Sequence, residues 1–252
     1  MNFSGISNRT SLGKVLRFPL RFIPSEMRMP ILQGKLKGKQ WIVGSSQHGC
    51  WLGSYESDKQ LLFEKTIPEG SVVFDLGAHV GFYTLLASTL VGSKGRVYTF
   101  EPMPANLFYL KEHLRLNRIT NVSVIEAAVS DCSGVTYFEE GSSSFQGHIS
   151  SQGTLQVKTV SLDELIAKGE IPTPDYIKMD VEGAEMQVFS GAKSLLTNAH
   201  PTIFLATHGD DIHKQCCQFL SSLGYQLQPI GGKSLEQSDE ILAYHESGVH
   251  RL

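Results

Sequence analysis

The chain has 252 residues, 41% of them hydrophobic and 19% charged, with 24 Gly and 10 Pro. This is the make-up of a folded chain and excludes the disordered, collagen-like and coiled-coil classes; the length fits one large domain, or one domain with an appendage, able to bury a core without staples. Net charge is −3 but uneven: residues 1–40 hold eight Lys/Arg against the single acid Glu26, and the rest holds 14 basic against 24 acidic residues.

A basic arm therefore precedes an acidic body. Such an arm suits either a contact with an anionic partner or a solvated leader, and charge alone does not separate the two. Cys50, Cys132, Cys216 and Cys217 form no CxxC pair, so neither a disulfide framework nor a zinc knuckle is indicated. No apolar run reaches the 18 or so residues of a membrane span, and Arg9, Lys14, Arg17 and Pro19 interrupt the segment after Met1; the expectation is a cytoplasmic protein without a transmembrane segment.

The chain divides near residue 70 into a segment 1–69 and a body 70–252. In the first, Gly34, Gly38, Gly44, Gly49 and Gly53 punctuate short apolar pieces, which predicts small strands and turns over long helices. A leader of this kind can fold back over strand ends, and Trp41, His48, Trp51 and Tyr55 have the flat faces and polar tips that grip sugar rings. Residues 34–60 are thus expected to cover a pocket and help select its occupant, with His48 either lining it or serving a structural turn.

From Ser71 onward strands alternate with helices. Val72-Val73-Phe74 predicts a buried strand, 80–91 a helix, Arg96–Phe100 a second strand, the stretch from Pro104 a helix with Leu107, Leu110 and Leu114 on one face, and Val122–Ile125 a third strand. His113 is expected on the exposed side of that second helix, among Lys111, Glu112 and Arg115. Residues 134–160 interrupt the rhythm with two alternating stretches that suggest an inserted hairpin, tipped by Ser142-Ser143-Ser144. Ser161-x-x-Glu164 reads as a capping box. Tyr176–Met179 and Thr202–Ala206 predict the fourth and fifth strands, with a helix marked by Ala184, Val188, Ala192 and Leu195 between them. Cys216, Phe219, Leu220 and Leu223 form an apolar helical stripe that makes Cys216 a core residue, and 225–230 and 241–244 predict two late strands. The sum is an α/β fold with an open, mostly parallel sheet and helices on both faces.

In such sheets ligands bind beyond the carboxyl ends of the strands. The first strand ends Asp75-Leu76-Gly77-Ala78-His79-Val80-Gly81 and runs into a helix. Gly77 permits a tight turn and Gly81 close packing at a helix N-terminus. The GxxxG spacing is not the GxGxxG of a dinucleotide site, and no Lys-Ser/Thr follows to make a P-loop. The second strand ends at Glu101, 26 residues after Asp75, where a carboxylate can accept hydrogen bonds from both hydroxyls of a ribose. Together these features form a nucleoside-binding signature, with Ala128 after the third strand near the position of a base.

These residues resemble the FkbM family of S-adenosylmethionine-dependent methyltransferases, through VVFDLGAHVGFYTLLA (72–87), GRVYTFEPMPANLFYLKEHLRLN (95–117), AAVSDCSG (127–134), VSLDEL (160–165) and DYIKMDVEGAEMQVFSGA (175–192). The resemblance implies a Rossmann-like class I fold of seven strands ordered 3-2-1-4-5-7-6 and O-methylation of a hydroxyl on a sugar, glycan, or glycosylated or polyketide metabolite. S-adenosylmethionine would then be held by Asp75, Gly77, Ala78, His79, Gly81, Glu101, Ala128 and Asp180. His79 stands where Asn is frequent in that family, and Ala206 replaces an acid often found after the fifth strand.

Methyl transfer needs an in-line approach of the acceptor oxygen and a group that takes its proton. Asp180 closes the fourth strand, with Glu182 and Glu185 just beyond, and His208 and Asp210 follow the fifth. Asp180 and His208 are the candidate catalytic pair; Asp180 is also a candidate contact for the methionine ammonium or a helix N-cap, and His208 alternatively a solvated loop residue. With Asp210 they are candidate Mg²⁺ ligands, although no spacing assigns a metal. The expected partner is a small molecule or glycan, with a homo-oligomer an open possibility. A nucleic-acid methyltransferase is the alternative suggested by the basic arm but opposed by the acidic body and by the lack of an (Asp/Asn)-Pro-Pro-(Tyr/Phe) motif. A non-catalytic S-adenosylmethionine-binding module is the other.

Overall fold

A computed structural model describes residue 20 and residues 22–140, 147–149 and 155–248. Half of the basic arm and the Ser142-Ser143-Ser144 tip lie outside them. Among the described residues no helix is long and apolar enough to cross a membrane.

The leader begins with an antiparallel pair, β1 (Arg28–Pro30) and β2 (Gln40–Ile42), followed by a short helix α1 (His48–Leu52) and a ten-residue helix α2 (Ser57–Thr66). The body then runs β3 (Val72–Leu76), α3 (Phe82–Val91), β4 (Arg96–Phe100), α4 (Pro104–Leu116) and β5 (Val122–Ile125). After these come β6 (Ala128–Val129), β7 (Gly134–Glu140), β8 (Gly147–Ile149), β9 (Leu155–Val160) and α5 (Leu162–Ala167). The last third holds β10 (Tyr176–Met179), α6 (Glu185–Gly191), α7 (Lys193–Asn198), β11 (Thr202–Ala206), α8 (Asp210–Ser222), β12 (Gln226–Pro229) and β13 (Glu240–Tyr244).

The main sheet is ordered β12-β13-β11-β10-β3-β4-β5. Counting only its strands in chain order, this is the 3-2-1-4-5-7-6 arrangement, parallel except for β13, which pairs antiparallel with both neighbours. The inserted hairpin is present as β7 and β9, but it joins β6 and β8 in a separate sheet ordered β6-β9-β7-β8. Alternation along each strand sorts the core. Val73, Tyr176 and Phe204 face one side with the leader and α3; Phe74, Ile177, Leu205 and Ile241 face the other with α5 to α8. Cys216 is fully buried there, its thiol pushed up to about 12 by desolvation, so it is core and not reactive.

Three local differences from the sequence expectation have physical causes. The first body helix starts at Phe82 and not at 80, because Gly81 adopts a left-handed backbone (φ 90°). The predicted helix through 184–195 is two pieces, α6 and α7; its Gly191 passes so close to the Ser130 carbonyl that a Cβ would collide with it. Helix α2 escaped the pattern because it buries Lys59 and Gln60 beside Phe63, which erases the apolar stripe that marks an amphipathic helix.

The described part of the leader packs into the core and also brings Ser46, Gln47, Cys50, Tyr55 and Glu56 to the lining of a cavity. Trp41, Trp51 and Phe63 are buried in the same cluster as Val73 and Leu86. His113, expected on the surface, is fully buried: its ring stacks on Trp41 at 3.8 Å, its Nε2 accepts from the Ile42 amide at 3.1 Å, and its Nδ1 lies 2.8 Å from the Val80 carbonyl. Only the neutral ring with its proton on Nδ1 satisfies both contacts, and burial pulls the group down from 6.5 to about 4.

Because the unfolded chain takes up this proton first as pH falls, stability should decline below about 6.5 and level off near 4, by up to about 3 kcal/mol from this group. His113→Leu should flatten that decline in urea melts taken at pH 7, 5.5 and 4. An unchanged slope would detach the acid sensitivity from the buried imidazole.

Candidate active site

A cavity of about 360 Å³ opens at the carboxyl ends of β3, β4, β10 and β11, a size suited to a small-molecule ligand. One wall is the turn after β3. Gly77 (φ 72°) leaves no room for a side chain, since a Cβ there would strike the Asp180 carbonyl oxygen. His79 takes a left-handed backbone (φ 52°), a region tolerated by His and Asn far better than by most side chains. Burial first, then the Lys178 ammonium, lowers His79 to about 4 and keeps it neutral.

Glu101 closes this end. Its Oε2 accepts from the His79 amide at 2.8 Å, and its Oε1 accepts from the Met103 amide at 2.9 Å and from Asn106 Nδ2 at 3.1 Å. Three donors fix the carboxylate while leaving acceptor capacity on Oε2. Desolvation outweighs these bonds and raises Glu101 from 4.5 to about 7.

The other end is built by β10 and β11. Lys178 is buried; its Nζ donates to the Gly77 carbonyl at 2.8 Å and lies 3.4 Å from Asp75 and 3.7 Å from Asp180. His208 Nδ1 bonds the buried Glu185 at 2.7 Å, and its Nε2 lies 3.5 Å from both Asp180 and Glu182. The Glu185 bond raises the His208 pKa against desolvation, with Asp180 and Glu182 adding to the rise. Desolvation pushes Asp180 upward, but Lys178, Lys59, His208 and His79 outweigh it and hold its carboxyl below the ordinary value.

Of the expected residues, Gly77, Ala78, His79, Glu101, Ala128, Asp180 and His208 line this one cavity, together with Ala206. Asp75 and Gly81 do not. Asp75 is buried beneath the turn, accepting from Thr84 Oγ1 at 2.5 Å and pairing with Lys178, while Gly81 packs against Leu110. Both act through neighbours and not as lining. Asp180 is no helix N-cap either, since the next helix begins at Glu185 after Ala184. Among the described aromatic residues of the leader only Tyr55 lines the cavity; His48 starts α1 and accepts from Trp51 Nε1 at 3.1 Å.

The expected metal set does not assemble. Asp210 is exposed at the start of α8, and among the described residues the group whose ligand atoms converge, within 4.8 Å, is Asp180, Glu182 and His208. Sequence reasoning missed the part played by Lys178, although a lysine inside the apolar strand Tyr-Ile-Lys-Met was a signal. It noted Glu185 without its link to His208, and nothing in the sequence pointed to Glu56, which also lines the cavity.

Strand order and strand-end site together define a Rossmann-like, class I methyltransferase fold. The chain belongs to the methyltransferase FkbM domain family, whose profile matches residues 75–227. It is 32% identical over 147 residues to a hexuronic acid methyltransferase, AglP, of Haloferax volcanii, covering 58% of this chain and 59% of that protein. It is 26% identical over 151 residues to methyltransferase 1 of Beauveria bassiana, covering 49% of this chain and 59% of that one. The chain thus spans about three-fifths of the length of these curated relatives. A crystal structure of methyltransferase FkbM from Methylobacillus flagellatus has a TM-score of 0.53 at 16% identity, covering 79% of this chain and 56% of that chain, which supports the fold alone.

Lys178→Met should cost about 3–5 kcal/mol in urea unfolding, since it leaves the buried Asp75 without its cation. Adding Asp75→Asn should return part of that loss. Additive losses in the double variant would show that the two groups are not coupled.

Proposed function

We propose that this chain is an S-adenosylmethionine-dependent O-methyltransferase acting on a hydroxyl of a sugar or glycan. The observation that carries this reading is the single cavity in which the glycine turn and Glu101 meet Asp180 and His208. Family membership supports methyl transfer, and the name of the Haloferax volcanii relative supports a sugar.

The lining fits the cofactor. Backbone at Gly77 and Ala78 gives close approach, the free acceptor capacity of Glu101 suits two ribose hydroxyls, and Ala128 leaves space for a flat base. When bound, S-adenosylmethionine supplies an electrophilic methyl group. His208 Nε2 would take the proton that the acceptor hydroxyl gives up when it is methylated. Glu185 holds Nδ1 of His208 and so fixes the nitrogen that works. Asp180, depressed in pKa, is a poor proton acceptor; it stays ionised and stabilises the imidazolium as it forms. Within the candidate catalytic pair, His208 is therefore the base and Asp180 its electrostatic partner in this proposal.

Calorimetry with S-adenosylmethionine tests the cofactor half. Glu101→Ala should weaken binding by about 1–3 kcal/mol. Because only ionised Glu101 accepts from both hydroxyls, wild-type affinity should rise about tenfold between pH 6 and 8, across the Glu101 value of about 7. Equal affinity in mutant and wild type would remove Glu101 from the site.

NMR titration tests the base. The His208 ring should titrate above 6.5 in the wild type and lower in Glu185→Gln. Because the neutral ring is the active form, the acid limb of kcat/KM should move to lower pH in the same variant, and His208→Ala should reduce kcat by about 10²-fold or more. A His208 signal unmoved by Glu185→Gln would separate the two groups.

A further inference from the structure

A second cavity, of about 250 Å³, adjoins the first and shares Thr207 and Asp239 with it. The rest of its lining comes from the start of α8, at Gly209, Asp210 and His213, and from the connection between β12 and β13, which includes Lys233 and Gln237. Apart from Gly209, every lining residue carries a polar side chain. The first cavity, by contrast, is partly apolar, with Val80, Phe82, Phe100 and Val129 in its wall. A space bounded by hydrogen-bond donors and acceptors suits a ligand dense in hydroxyls, whereas an apolar ligand would strip water from those groups and replace none of its bonds.

Sheet order connects this space to the reaction. The first cavity runs from Ala128 and Glu101 beside β5 and β4, where the cofactor's nucleoside is proposed above, to His208 after β11. A ligand of that size takes up about 300 Å³ or more, so the cofactor leaves little of the first cavity for the body of an acceptor. The second cavity begins where the first ends, and β13 lies one strand beyond β11, a step of about 5 Å, close to the breadth of one pyranose ring.

Thr207 stands at the boundary and is buried. Its Oγ1 donates to the Asp239 carbonyl at 3.2 Å and so accepts from Nδ1 of His213 at 3.0 Å, and Nε2 of that ring lies 3.6 Å from Cys217 Sγ. The hydroxyl is thereby fixed with acceptor capacity to spare. Farther out the groups are free to adapt to a ligand. Lys233 and Asp239 approach only to 3.8 Å and their side chains are 57% and 74% exposed, a pair held weakly in water. Gln237 is exposed and offers a donor and an acceptor on one amide.

We infer that the second cavity holds the sugar ring of the acceptor, gripped by Thr207, Lys233 and Gln237, and that the connection between β12 and β13 determines which sugar is methylated. This rests on the methyltransferase reading above and adds to it the place and the residues of acceptor choice.

The test uses the full chain, labelled with nitrogen-15 and saturated with S-adenosylhomocysteine at pH 7. It is titrated with the methyl glycosides of glucose, galactose, mannose and glucuronic acid, and with cyclohexylmethanol, a six-membered ring carrying a single hydroxyl. At least one glycoside should shift the amides of residues 207–213 and 231–239 saturably and bind about tenfold more tightly than cyclohexylmethanol. Lys233→Ala and Gln237→Ala, both at exposed positions, should each weaken that glycoside several-fold while calorimetry finds S-adenosylhomocysteine bound as in the wild type. No binding by any of the glycosides, shifts that leave 231–239 untouched, cyclohexylmethanol binding as tightly, or glycoside affinity unmoved by both variants would overturn the acceptor site and leave the cofactor reading standing. Failure of the wild-type chain to bind S-adenosylhomocysteine would instead overturn the methyltransferase reading, and the proposal with it.

Discussion

The buried pair of Lys178 and Asp75 is the constraint on which the site depends. The two residues sit opposite each other in the register of β10 and β3, on the face that carries Val73 and Tyr176, and Thr99 of β4 is the next partner in the row. A lysine and an aspartate, each almost wholly removed from water, are tolerable only when paired and hydrogen-bonded. Here the lysine also holds the Gly77 carbonyl, and the aspartate holds Thr84 of α3. One ionic contact therefore joins two strand ends, the glycine turn and the helix behind it. The same ammonium reaches Asp180 and lowers its pKa, so the fold's internal charge pair also sets the ionisation at the cavity.

A second buried polar device ties the leader to the body. His113 accepts from the Ile42 amide, and Asn117 brackets Gln40, accepting from its amide at 2.7 Å and donating to its carbonyl at 2.9 Å. The edge of β2 would otherwise present unpaired backbone groups, and two side chains, His113 of α4 and Asn117 at its C-terminal cap, satisfy them. With the leader anchored there, α2 can deliver Lys59 to Glu240 on β13. Tyr55 and Glu56 reach the cavity from the residues just before α2. This part of the lining thus depends on packing far from it, which is why a segment that looked separable by composition is structurally continuous with the sheet.

What the sequence disclosed follows from where local and global signals agree. Of the six parallel strands, β3, β10 and β11 read as short apolar runs because both faces are covered, and strand ends are marked by residues that suit a turn, as at Gly77 and at Glu101-Pro102. Strand-end position then gave Gly77, Ala78, His79, Glu101, Ala128, Asp180 and His208 of the cavity lining directly. Three things were hidden. His113 sits among charged neighbours, and only the tertiary approach of Trp41 buries it. Lys59 makes α2 look polar because its partner, Glu240, is 181 residues away. Asp75 looked like a ligand contact because it begins the turn, whereas strand alternation turns its side chain under the sheet's edge toward Lys178. In each case an ionisable side chain was satisfied by a distant partner that periodicity does not reveal.

The same long-range pairing decides how the two ends of the cavity differ chemically. At the β4 end, Glu101 has amide donors and no cation within ion-pairing distance among the described residues, and desolvation wins, leaving it near neutrality in pKa. At the β10 and β11 end, carboxylates outnumber cations but are close to them, and Coulombic attraction wins, so Asp180 stays ionised and His208 gains proton affinity. The same two forces acting in different proportion therefore shift the two ends differently: Glu101 is raised towards neutrality, whereas Asp180 is held low and His208 is raised. The difference traces to one placement: Lys178 lies on β10, beside Asp180, and Glu101 lies two strands away at the end of β4.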